Sequence, residues 1–115
     1  MGKTDPVLVK LRTAFDSDRG NVRKALDLAR YYIDHGHLRQ ASELFREVLK
    51  ENPQDFNLLL EYGNLCFKKT ELEDAAGTFR TLTELSPERI EGWNNLAIVL
   101  IRQGKTEEAR QCVKK

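Results

Sequence analysis

The chain has almost no surplus charge: nineteen lysines and arginines face eighteen aspartates and glutamates, a net of +1 over 115 residues. That balance excludes the basic stripe and high isoelectric point by which a nucleic-acid-binding domain announces itself. Long apolar runs are also missing, and none approaches the eighteen or more residues of a membrane-spanning helix. The start, Met1-Gly2-Lys3-Thr4-Asp5-Pro6, lacks an apolar leader and puts proline where a myristoylation motif wants serine or threonine. These absences make cytoplasm the default compartment and leave no expected role for a membrane.

Cysteine is scarce as well. Cys66 and Cys112 stand 46 residues apart, with no metal-like spacing. Cys66 shares a repeat position with Tyr32 and Leu100, so a buried thiol is expected rather than a redox pair. His35-Gly36-His37 has no carboxylate or cysteine at ligand spacing and reads as turn chemistry. No nucleophile–base pair, phosphate-binding glycine loop or metalloprotease helix occurs. The chain is expected to need no cofactor or metal and not to be an enzyme.

What the chain has is a period. Ala41, Ala75 and Ala109 lie 34 residues apart, and Phe45, Phe79 and Val113 follow each by four. Pro53 and Pro87 keep the interval. Sixteen residues before each alanine stand Ala25, Leu59 and Trp93, then Leu28, Tyr62 and Leu96, then the small residues Ala29, Gly63 and Ala97. Self-similarity of this length marks a helix–turn–helix array. The small residues have a steric cause: two helices with large side chains at both places could not reach the usual interaxial distance of about 8–10 Å.

The period divides the chain into four parts. Residues 1–21 hold a capping helix from Asp5 to about Asp16, with Asp5 as N-cap and Pro6 at its first position. Val7, Leu8, Leu11 and Phe15 share its apolar face, and Val7 falls in register with Ala41. Residues 22–55 form repeat one, whose helices carry Ala25, Leu28, Ala29 and Tyr32, then Ala41, Leu44, Phe45 and Val48; Gly36 permits the turn and Pro53 the stop. Residues 56–89 form repeat two, with Asp55 as N-cap. Its helices carry Leu59, Tyr62, Gly63 and Cys66, then Ala75, Phe79 and Leu82. Thr70 replaces the turn glycine, with a Thr70–Glu73 capping box as compensation. Ser86-Pro87-Glu88 reads as the start of the next unit. Residues 90–115 hold repeat three, with Trp93, Leu96, Ala97 and Leu100, a turn at Gly104, and a helix from about Thr106 that stops short at Lys115.

The pattern resembles the tetratricopeptide repeat, with its W/L–L–G/A–Y, A–F and terminal proline positions, over about four-fifths of the chain. The resemblance implies an all-α, right-handed superhelical solenoid of about seven helices. It also implies a non-catalytic protein–protein interaction module that binds a partner peptide or helix in a groove lined by the first helix of each repeat. Carried onto this sequence, the groove positions are Arg23, Leu26, Arg30, Ile33 and Asp34; Asn57, Leu60, Asn64, Phe67 and Lys68; and Glu91, Asn94, Ile98, Ile101 and Arg102.

Two readings of these positions stand side by side. Leu26, Ile33, Leu60, Phe67, Ile98 and Ile101 are apolar yet lie off the helix-pair stripe. They either pack between neighbouring helices or form an open apolar groove, in which Asn57, Asn64, Asn94 and Asn95 could meet a peptide backbone. One subfamily grips acidic chaperone tails through a carboxylate clamp. Its places here hold Leu26, Arg30, Glu61, Glu91 and Asn95, and two acids would repel such a tail. The expected partner is therefore apolar or mixed in character. Weak self-association through an open C-terminal end, as a stacking spacer within a larger protein, is the alternative. Charges such as Glu43, Arg46, Glu47, Glu107 and Arg110 read as a solvated outer face.

Overall fold

The computed structural model describes residues 5–114, and the chain divides after Pro53 into two compact units. The expectations for Met1 to Thr4 and for Lys115 lie outside the described residues. Seven helices account for the rest, with no strand among the described residues, and no helix is long and apolar enough to cross a membrane.

In the first unit, α1 spans Pro6–Asp16, α2 Val22–Asp34 and α3 Leu38–Glu51. Each start has a local cause. The Asp5 carboxylate accepts from the Val7 N–H at 2.9 Å with Pro6 at the first helical position, and the Asn21 side chain accepts from the Lys24 N–H at 3.0 Å. Gly36, at φ +78°, turns the chain between α2 and α3. The His35 ring nitrogen Nδ1 lies 2.9 Å from the Tyr31 carbonyl oxygen, so this histidine closes the helix end. Phe15, Ala25, Leu28, Ala29, Tyr32, Ala41, Leu44, Phe45 and Val48 form the buried centre. Covering one such phenylalanine or leucine contributes about 1.5–3 kcal/mol.

In the second unit, α4 spans Phe56–Lys68, α5 Leu72–Leu85, α6 Ile90–Arg102 and α7 Thr106–Val113. Asp55 caps α4 through the Leu58 N–H at 3.0 Å. Consecutive helices pack as antiparallel neighbours, and α4 also touches α6. Leu58, Leu59, Leu65 and Cys66 of α4 are buried with Ala75, Ala76, Phe79 and Leu82 of α5, and with Leu96, Ala97, Val99 and Leu100 of α6. The three periodic alanines Ala41, Ala75 and Ala109 are 0, 0 and 3% exposed, which is where helices closing to contact require a small side chain. Both cysteines are free and buried, and burial pushes both thiols up from the ordinary value.

Two local expectations need correction. Val7 is 56% exposed although it shares register with fully buried Ala41, because no described helix precedes α1 to cover it. Val113, in register with Phe45 and Phe79, needs no correction: it is 59% exposed, with no described helix after α7 to cover it. The Thr70–Glu73 capping box does not form. Glu71 is the N-cap residue of α5 without a side-chain cap bond, and the Thr70 hydroxyl donates instead to the Lys69 carbonyl. Thr70 itself sits at φ +61°, the left-handed conformation that glycine supplies at Gly36 and Gly104. Ser86-Pro87-Glu88 forms the turn that leads into α6. Ser86 closes α5, Arg89 precedes α6 without a side-chain cap bond, and the Trp93 indole N–H donates to the Pro87 carbonyl at 2.8 Å.

Candidate functional site in the second unit

Side chains three, four and seven residues apart share one face of a helix, and this sets out the surface of α4 and α6. Asn64, Phe67 and Lys68 follow one another on α4; Asn95, Ile98 and Arg102 do so on α6. Contact between α4 and α6 brings the two sets together. The Asn95 amide Nδ2 donates to the Asn64 carbonyl oxygen Oδ1 at 3.2 Å, bridging the two helices.

Beside that bridge lies a cavity of about 230 Å³ lined by Asn64, Phe67, Phe79, Asn95, Ile98 and Val99. Phe79 and Val99 are buried and belong to the core, whereas Ile98 is 51% exposed. The guanidinium of Arg102 stands over the Phe67 ring, 4.8 Å from its centroid. At the far end of α6, the Arg89 guanidinium covers the Phe56 ring at 3.7 Å and its nitrogen lies 3.7 Å from a Glu91 oxygen. The arrangement is mostly apolar, with two amides and one cation on its edge. It can receive an apolar side chain and orient a polar backbone. Among the described residues no group of three histidines, cysteines or acids could hold a metal ion.

Of the groove positions, Asn64, Phe67 and Ile98 meet at this cavity. Leu60 is half-buried, whereas Asn57, Glu91, Asn94 and Ile101 are exposed and lie outside its lining. The α2 positions belong to the first unit. There Arg23 and Asp34 are exposed, Ile33 is half-buried, and exposed Arg30 stands 3.9 Å from Asp27. Leu26 is only 7% exposed, so it packs into the unit and offers no open surface. One contributor escaped the reading of the sequence: Val99 lines the cavity although it is off the helix-pair stripe. Arg102, a groove position, stacks on Phe67, and the two stand 35 apart, one residue more than the period.

Comparison with known proteins agrees with this architecture. Two family profiles described as tetratricopeptide repeat match residues 26–90 and 78–111. A TPR repeat-containing protein of Schizosaccharomyces pombe is 33% identical over 75 residues, 65% of this chain and 9% of that protein. Among solved structures, a crystal structure of MamA superposes with TM-score 0.81 at 18% identity, covering 91% of this chain and 61% of that one. MamA 41-end from Desulfovibrio magneticus RS-1 superposes with TM-score 0.81 at 13% identity, covering 93% and 60%. This chain thus spans under a tenth of the fungal relative and about three-fifths of the MamA chains. Identities this low speak for the fold alone. The matched profile covers more than half of the residues, and with its helices and periodic alanines the chain belongs to the tetratricopeptide repeat family.

Proposed function

We propose that this chain is a non-catalytic interaction module and that the α4/α6 face docks a segment of a protein partner. One observation carries the reading: Ile98 and Ile101, 51 and 59% exposed, stand beside an apolar cavity edged by two amides. Large apolar side chains left in water next to a concavity are costly without a use. The Asn64–Asn95 bond consumes one donor and one acceptor. Each amide keeps the complementary group, which suits the alternating N–H and C=O of a bound backbone. The partner is apolar or mixed in character. An acidic chaperone tail is disfavoured, because two clamp places hold Glu61 and Glu91 and a third holds buried Leu26.

A random phage-displayed dodecamer library panned on the protein tests this. Enriched peptides should lose at least about tenfold in affinity to the Ile98→Glu/Ile101→Glu variant, roughly 1.4 kcal/mol, and bind a Glu84→Gln outer-face control normally. No enrichment, or clones indifferent to the double substitution, would overturn the reading.

The exposed Val113 favours a second reading, in which copies stack through α7. Light scattering over a concentration series separates the two, since a strictly monomeric protein at high concentration excludes stacking.

A further inference from the structure

We infer that the α4/α6 face selects an extended segment in which an apolar and an acidic side chain stand two residues apart. The apolar group fills the cavity and the carboxylate pairs with Arg102. This rests on the reading of that face as the docking surface and adds to it the chemistry of the partner.

The cavity specifies the apolar half. Four of its six lining residues, Phe67, Phe79, Ile98 and Val99, are hydrocarbon or aromatic, and the amides of Asn64 and Asn95 stand at its edge. Arg102 specifies the other half. Its guanidinium rests over the ring of Phe67, a wall of the cavity, with 4.8 Å between guanidinium carbon and centroid. Stacking occupies the flat face of a guanidinium and leaves its N–H edge in the plane, where a carboxylate oxygen pair is matched in spacing and direction.

Helix geometry sets the distance. Arg102 follows Ile98 by four residues, about 6 Å along the axis, and an extended chain covers that in about two residues. Ile101, exposed one residue before Arg102, flanks the stretch between the cavity and the guanidinium.

The charges around Arg102 allow an anion. Lys68 lies in the last turn of α4, next to Phe67, and Arg102 in the last turn of α6. The negative ends of both helix dipoles oppose an anion there, and these two cations offset them. Glu91, also on α6, is eleven residues away, about 16 Å, which is twice the screening length of about 8 Å at physiological salt. An acidic run reaching along α6 to Glu91 is repelled, whereas a single acid at Arg102 is not.

The same phage library, panned on the full chain and on its Arg102→Gln variant, decides the matter. The wild-type protein should enrich Leu, Ile or Phe with Asp or Glu two positions away. On Arg102→Gln the apolar preference should persist and the acidic one vanish. Replacing the acid by its amide in a selected peptide should weaken binding to the wild type about fivefold, an effect that shrinks in high salt and is absent in the variant. Apolar enrichment without the acid, or an acid preference indifferent to Arg102→Gln, would overturn the inference and leave the docking face standing. No clones sensitive to Ile98→Glu/Ile101→Glu would overturn both.

Discussion

Gly63 of α4 lies flat against the ring of Phe79 on α5: a β-carbon built on this glycine would stand 2.5 Å from Cε1 and 2.7 Å from Cζ. The ring is 1% exposed and packed in the core, so displacing it disturbs buried contacts. Alanine in a helix normally gains about 0.5–1 kcal/mol over glycine, whereas forcing a packed core apart costs about 1–3 kcal/mol. The second effect wins, so Gly63→Ala should lower the thermal midpoint. Gly77, exposed on α5 with nothing within 4 Å of its added carbon, should show the opposite sign. Thermal melts of the two variants, measured against the parent, check the pair together.

Thr70 pays a conformational penalty that its counterparts avoid. A β-branched residue at φ +61° carries about 1–2 kcal/mol of steric strain, and Gly36 and Gly104 hold the equivalent turns without it. Thr70→Gly relieves that strain and loses some ground through the freer unfolded chain. A net gain of about 1 kcal/mol is expected in denaturant titrations. An unchanged or lower midpoint would show that the strain is absent.

The Tyr31 hydroxyl donates to the Asp5 carboxylate, tying the start of α1 to α2. This bond, with the Val7 N–H second, holds Asp5 below its ordinary value, and the same bond pushes the Tyr31 phenol up to about 12. The signs follow from linkage. Asp5 contributes stability above its unfolded pKa of about 3.9, lost as pH falls through the lower folded value. Tyr31 contributes below its unfolded value of about 10, lost as pH rises through the higher one. The difference in thermal midpoint between the parent and Tyr31→Phe should therefore be flat from about pH 5 to 9 and shrink on either side. The substitution keeps the ring that stacks on His35 at 3.9 Å. A step near neutral pH would contradict this account.

Much of this was legible in the residues, and the failures share a cause. The period located all seven helices and the buried alanines, because a constant spacing of small residues has one steric reading. It missed Leu58, Leu65 and Val99, each 2% exposed or less. These lie off the narrow helix-pair stripe because α4 touches both α5 and α6, which widens the arc that must be apolar. The consecutive Leu58, Leu59 and Leu60 were the available signal. Leu26 was assigned to the groove and is buried, since an apolar residue off the stripe can serve a core as well as a ligand. The Thr70 capping box failed on a backbone angle, which residue identity does not encode.

The indole of Trp93, anchored to the Pro87 carbonyl between α5 and α6, is the single tryptophan of the chain. Its fluorescence is therefore a private reporter on the second unit, blind to α1, α2 and α3, whereas far-ultraviolet dichroism sums every helix. Should the two signals melt at separate temperatures, the halves of this polypeptide come apart independently.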